Sequence, residues 1–545
     1  MPESFGRFLK YVGDQIAPNI GSMVASKRPL VWLLALLSGV LAAYAIIAFR
    51  FAIGFIHYPW LGTYLEGNVA TAAAQTPWYI LVLVPTLGGL FVGFLLHKFV
   101  PGRRAQSVAD VIEARALGGA NISLTSGWWS AAISALSLGV GASAGREGPA
   151  VHLGSAMASA VGRKFDLTPE KRRVILACGA AAAVSASFNA PIAGVLFAHE
   201  VILGHIAISA FAPTAIAAVA ATLITRFHLG DFPAFTIPTY EITSLWEFPA
   251  FALLGVTCGV VALCFQFSVI IADYTARSIK MPLWLRPAIG GLLIGLMAIF
   301  IPEILGVGYE VTDRALHQLI PLGTLFLLLI AKAIATAITM ASRFGGGVFS
   351  PSIYLGAMAG GAFGILAAKV FPDLASSDGL YAILGMGGVA GAILGAPIST
   401  VLIAFELTGG YQMTIALLIT VSIASVMLQA VHGHSIFHWQ LNQRGLFFDE
   451  GPHREVVRRW RVKDFMTPLS EDEILLPPDP DSDMPMLTPE DTLESALRAF
   501  DQSSEPRIPV VDTQDASLVI GWAEHMMALR TYNQALVEAH VEEHR

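Results

Sequence analysis

Long apolar stretches, seldom broken by charge, fill the chain up to about Arg444. Runs long enough to cross a bilayer as helices, about 17–25 residues, occur at 29–49, 79–96, 248–272, 344–368 and 379–405. Pro191, Pro321, Pro351 and Pro397 interrupt apolar segments. Lipid tolerates such breaks only where neighbouring protein or a polar cavity satisfies the freed backbone groups. The pattern predicts an all-α, polytopic membrane domain over 29–444. Beyond it the apolar positions alternate as in a soluble fold, with a loop at 476–483. Thr488-Pro489-Glu490-Asp491-Thr492 opens a helix whose apolar face is Leu493, Ala496, Leu497 and Phe500, a helical spacing behind a capping sequence. Strands at 508–511 and 518–522 and a helix from about Glu524 complete a small α/β domain over 445–545.

The membrane part is internally duplicated. Residues 145–154 (GREGPAVHLG) match 347–356 (GVFSPSIYLG), each behind a glycine run. Residues 179–201 lie over 385–407 without a gap, setting Pro191 on Pro397 and Glu200 on Glu406. Glycine/alanine-rich helices resemble one another by composition, but an ungapped match of this length argues for a repeat. Duplicated hydrophobic halves with interrupted helices mark a transporter whose substrate binds near the midplane. The two inverted-topology repeats span about 79–226 and 286–430. Pro149 and Pro351 are expected at first helical positions, where a missing N–H costs nothing.

With 55% hydrophobic and 13% charged residues among 545, the composition lies far from that of soluble domains. Residues 1–28 form a polar, amphipathic segment with Arg7, Lys10, Lys27 and Arg28, not a cleavable signal peptide. Connectors 62–76 and 372–378 carry acidic but no basic residues, whereas Arg103, Arg104, Arg163, Lys164, Lys171, Arg172 and Arg173 mark others as cytoplasmic. The basic stretch 454–461 places the tail on the same side. The expectation is a multi-pass protein of the plasma (inner) membrane with both termini cytoplasmic. Cys178, Cys258 and Cys264 read as core thiols. His432, His434 and His438 lack a carboxylate at metal-site spacing. A net charge of −7 offers no face for nucleic acid, and nothing indicates an enzyme or a cofactor.

A glycine-rich loop feeding a helix N-terminus at membrane depth is an anion site, because unpaired N–H groups point off the helix end and the dipole adds about half a positive charge. Glu147 stands at such an end. A carboxylate in a membrane interior costs about 2.5–3.5 kcal/mol on insertion scales and is a functional candidate by default. Ionised, it occupies the site as a tethered anion; protonated, it leaves. Pairing with Arg146 alone is the structural alternative.

These residues resemble the CLC family of chloride channels and chloride/proton antiporters, through GREGP at 145–149, GVFSP at 347–351 and the repeat pairing. The resemblance implies about eighteen helices and a homodimer with a chloride pathway in each subunit. It makes Glu147 the external gate and Gly148, Val348 and Phe349 backbone anion donors, with Arg146 beside them. The family's first anion motif is matched only by 105–110 (AQSVAD), where Gln106 or, one residue on, Ser107 takes the serine's role; an ordinary helix cap before Val108 is the alternative. Phe437 stands where the family has a pore tyrosine. Val201 stands where antiporters carry an internal glutamate, leaving Glu200 and His199 as substitute proton carriers, although a lone histidine on an apolar helix is more often a core residue. These departures favour a passive or weakly coupled chloride channel. A chloride/proton antiporter is the alternative, and a fluoride exporter a further one. The tail resembles a cystathionine-β-synthase-type (CBS) module, but one unit has half the usual cleft. Dimerisation therefore comes ahead of adenine-nucleotide binding for it.

Overall fold

The computed structural model describes Tyr11 and residues 27–117, 119–230, 235, 242, 244–372, 375–408, 411–446, 460–469, 485–503, 505–513, 515 and 518–544. The chain divides into two compact units, Met1–Trp439 and Gln440–Arg545.

The first unit opens with α1 (Arg28–Leu61) and the short α2 (Val69–Gln75). A set of seven helices follows: α3 (Trp78–Phe99), α4 (Val108–Ala116), α5 (Leu124–Gly139), α6 (Glu147–Lys164), α7 (Pro169–Phe188), α8 (Pro191–Phe197) and α9 (Ile208–Leu229). After α10 (Phe248–Ser278) the same order returns as α11 (Arg286–Phe300), α12 (Tyr309–Leu316), α13 (Leu322–Ala341), α14 (Phe349–Val370), α15 (Asp378–Leu394), α16 (Pro397–Thr408) and α17 (Tyr411–His432), and α18 (Ile436–Asn442) closes the set. Among the described residues, seven segments are long and apolar enough to cross a membrane, including α3, α9, α10, α13 and α14. The large apolar side chains exposed along α1, α3 and α10 suit a lipid surround.

Two boundaries differ from the sequence pattern. The run 379–405 is two helices, because Gly395 turns left-handed (φ 64°) and Pro397 starts α16 afresh. Asn189 (φ 59°) and Pro191 make the same break between α7 and α8. A left-handed residue ends a helix and proline cannot continue one, but proline fits a new first turn. The other difference is that α6 and α14 begin at Glu147 and Phe349, two residues before their prolines. The prolines still fall in the first turn, where their missing N–H has no partner to lose.

The repeats share their packing as well as their order. In the first, α6 crosses α7 at Gly154 and Gly179, where a methyl on Gly154 would lie 2.6 Å from the Gly179 carbonyl oxygen. In the second, α14 crosses α15 at the matching Gly356 and Gly385, each with the other's carbonyl where a side chain would go. Small residues at helix crossings let backbones approach in a medium that supplies no hydrophobic drive. Cys178 and Cys258 are buried, whereas Cys264 is exposed on α10.

In the second unit, β1 (Thr467–Pro468), α19 (Leu493–Ser503), β2 (Arg507–Val511), β3 (Val519–Glu524) and α20 (His525–His544) follow in order. The antiparallel sheet runs β1-β3-β2, and Leu493, Ala496 and Phe500 of α19 pack with Ile508, Val510 and Ala523. The expected loop at 476–483, the stretch 454–459 and Arg7 and Lys10 lie outside the described residues.

Candidate anion site at the repeat junction

The two glycine loops meet each other. The Gly145 N–H donates to the Gly347 carbonyl (2.7 Å) and the Gly347 N–H to the Gly145 carbonyl (2.8 Å), an antiparallel bridge between the repeats. This sets the first turns of α6 and α14 side by side. The N–H groups at a helix start have no intrahelical partner, and each dipole leaves partial positive charge there. Gly148 stands in one turn, and Val348 with Phe349 at the start of the other. The Phe349 ring turns away to pack on Phe188 (5.0 Å) and Phe197 (6.0 Å).

Glu147 is the acid at this junction, only 1% exposed. Its Oε1 accepts a hydrogen bond from the Tyr309 hydroxyl (2.5 Å), and Ser350 Oγ lies 3.5 Å from that hydroxyl. Oε2 has no hydrogen-bond partner and lies beside Gly145, where a methyl would come within 2.7 Å of it and 3.0 Å of the Ser350 nitrogen. The carboxylate thus sits where the N-terminal turns converge. Arg146 takes a different direction from the one expected of an anion ligand. Its guanidinium pairs with Glu66 and lies over the Tyr309 ring (5.0 Å), with Nε still 3.9 Å from Glu147 Oε1. Arg50 of α1 is within electrostatic range of Arg146, Glu66 and Tyr309. Buried Arg146 thus stands between the carboxylates of Glu66 and Glu147, which limits the cost of keeping it out of water.

At the start of α4 the ambiguity between Gln106 and Ser107 resolves. Ser107 is the N-cap residue, its N–H donating to Asp110 (2.9 Å), and its Oγ abuts Gly148 so closely that a methyl there would collide with it. Gln106 points elsewhere: its Oε1 accepts from Ser126 Oγ (2.6 Å). The cap geometry fixes this, since only the residue immediately before the helix faces along its axis. The cap hydroxyl thus lies against the first turn of α6. Phe437 is buried at the start of α18 and offers no hydroxyl.

The substitute proton carriers are otherwise engaged. His199 Nδ1 accepts from the Ala207 N–H (3.3 Å) and Nε2 lies 3.4 Å from Thr214 Oγ1, so it is a satisfied core histidine. Glu200 accepts from the N–H groups of Ile398 (3.0 Å) and Ser399 (2.8 Å) at the start of α16. Its repeat counterpart Glu406 does the same for Ile192 (2.9 Å) and Ala193 (2.7 Å) at the start of α8. Each carboxylate caps the other repeat's broken helix. Val201 is buried beside them. Sequence reasoning missed Tyr309 and Glu66. Glu66 lies in a connector noted for acid without base; nothing near Tyr309 in the chain singles it out.

The family description "Voltage gated chloride channel" matches residues 88–429. A ClcB-like relative from Ralstonia nicotianae is 34% identical over 408 residues, covering 74% of this chain and 94% of its own length. The H(+)/Cl(-) exchange transporter ClcA of Vibrio cholerae is 31% identical over 367 residues, 65% of this chain and 77% of that protein. Among solved structures, a slow cyanobacterial Cl-/H+ antiporter superposes with a TM-score of 0.68 at 23% identity, over 76% of this chain and 97% of that one. Two matched repeats, convergent helix ends at Gly145 and Gly347 and these likenesses together establish that the chain belongs to the voltage gated chloride channel (CLC) family of anion transport proteins.

Proposed function

We propose that the chain exchanges chloride for protons across the membrane, with Glu147 as the group that both carries the proton and closes the anion route. The observation that carries this reading is the buried Glu147 carboxylate lodged among the helix ends that serve an anion. Ionised, it competes with chloride for those N–H groups; protonated, it has no charge to hold it there. Relatives named as exchangers support the same reading. A passive chloride pathway is the second reading, favoured by the aliphatic Val201. The fluoride reading rests on the altered serine motif, and Ser107 against Gly148 supports chloride instead. By family likeness we also assign a homodimer with one pathway per subunit, an inner-membrane location with cytoplasmic termini, and a CBS-like tail.

Purified protein in liposomes tests this. With a chloride gradient imposed, proton uptake against its own gradient is the expected result, with fluoride run in parallel. Glu147→Gln is expected to abolish proton movement and leave chloride flux independent of external pH. A wild-type protein that passes chloride without moving protons sinks exchange in favour of the passive pathway, and a Glu147→Gln variant with the wild-type pH profile removes Glu147 from the gate.

A further inference from the structure

Exchange needs a way for protons to reach Glu147 from the side opposite its outer face. The residues at the expected place supply none: Val201 cannot titrate, and His199 and Glu200 spend their polar atoms on α9, its preceding loop and the start of α16. Another part of the first repeat is equipped for it. A cavity of about 570 Å³ lies between α4, α5 and α6, lined among others by Gln106, Asp110, Glu113, Asn121, Ser126 and His152. Its volume is many times the roughly 30 Å³ share of one water, and its wall is polar enough to hold a hydrogen-bonded chain.

His152 is the unusual member of that wall. It is 1% exposed, and its Nδ1 has no hydrogen-bond partner, a state rare in native interiors unless water or a transferred proton serves the atom. It follows Glu147 on α6 by five residues, about 7.5 Å of helix rise. Gln106 lines the same cavity, and its neighbour Ser107 touches Gly148, the residue after Glu147. The charged groups facing the ring are Asp110 and Glu113 of α4 and Arg104 just before it. Arg104 donates to Asp110 at 3.0 and 2.5 Å, while α5 and the turn before it contribute only neutral Asn121, Ser123, Thr125 and Ser126. In the second repeat the matching position is Tyr354, covered by Lys332, whose Nζ lies 5.2 Å from the ring centre and donates to the Ile304 and Gly306 carbonyls.

We propose that this cavity is the inner proton entry of the exchanger and that His152 relays protons from its water to Glu147, an inference that rests on the exchange reading above. A cavity water, recharged from the bulk, transfers a proton to the free imidazole nitrogen. The imidazolium then releases a proton, through water beside Ser107, to the Glu147 carboxylate, and the ring returns to neutral. One proton moves from the inner side to the outer per cycle of the carboxylate, each transfer breaking one O–H or N–H bond and forming another.

The test is chloride-driven proton uptake by the full chain in liposomes. His152→Asn is expected to lower proton movement at least tenfold while chloride flux stays within threefold of wild type. Val201→Glu added to His152→Asn, which supplies a carboxylate on another route, is expected to restore part of the uptake. Should His152→Asn fail to fold, Ser126→Cys modified from the inside with a charged thiol reagent reads the same cavity, and loss of proton movement with chloride flux intact is expected. Proton uptake unchanged in His152→Asn, or unchanged in modified Ser126→Cys, overturns the cavity route while leaving exchange standing. A wild-type protein that moves no protons overturns exchange itself and the route with it.

Discussion

Glu147 is held in place by one short side-chain hydrogen bond, donated by the Tyr309 hydroxyl. A hydrogen bond to a charged group contributes about 1.5–3 kcal/mol. Arg146 stands beside the carboxylate, its Nε 3.9 Å from Oε1. Tyr309→Phe keeps the ring under Arg146 and removes only the donor. With that bond gone the carboxylate is less firmly held at the helix ends, so chloride flux at neutral external pH is expected to rise several-fold. Flux of the variant against wild type in liposomes checks this; unchanged flux shows that the phenol does not hold the carboxylate in place. Glu147, Gly148 and Ser107 were legible in the sequence because glycine, proline and a lone acid in an apolar run carry their physics locally. Tyr309 was not, since its partner lies 162 positions away. Gln106 and Ser107 stayed alternatives in the sequence because a one-residue shift of register moves a cap residue off the helix axis.

At the scale of elements, each repeat finishes the other's broken helix. Glu200 and Glu406 occupy equivalent positions and exchange caps across the pseudo-symmetry, each accepting two N–H groups that α16 and α8 otherwise leave unpaired. Removing Glu200 leaves the N–H of buried Ser399 unsatisfied, at about 1–3 kcal/mol. Glu200→Ala is therefore expected to lower the thermal unfolding midpoint in detergent, and Glu200→Gln to lower it less, since its amide oxygen still accepts. Both are expected to keep chloride-driven proton uptake. Loss of uptake in a well-folded Glu200→Gln protein restores Glu200 as a proton carrier. The duplication made the pair visible as matched residues, and their use stayed hidden: periodicity reports which residues correspond, not which helix end a carboxylate reaches. Pro191 and Pro397 announced the two breaks, but the left-handed Asn189 and Gly395 that end the preceding helices hid, because one such residue inside an apolar run barely alters hydropathy.

At the scale of the whole molecule, two duplicated sets of seven helices were readable because inverted repeats keep both element order and interruption pattern, and the tail's strand and helix order was readable from alternation alone. What alternation does not record is how the repeats touch. They do so at the site through one pair of backbone hydrogen bonds, Gly145 to Gly347 and back, so the anion turns of α6 and α14 are held in register by residues without side chains. The void left by the missing Gly145 side chain is where Glu147 Oε2 and the Ser350 nitrogen approach. A methyl at that point, 2.7 Å from the carboxylate oxygen, is far inside ordinary contact and must be relieved by the atom freest to move. The backbone of α14 is pinned by its bridge, whereas the carboxylate hangs on one hydrogen bond. Gly145→Ala is thus expected to displace Glu147 from the helix ends and leave the fold nearly as stable. In liposomes this variant should pass chloride with little pH dependence and at least tenfold less proton uptake per chloride, resembling Glu147→Gln without changing the acid. Retention of wild-type coupling would mean that the α14 turn yields instead, and that the junction is softer than its two hydrogen bonds imply.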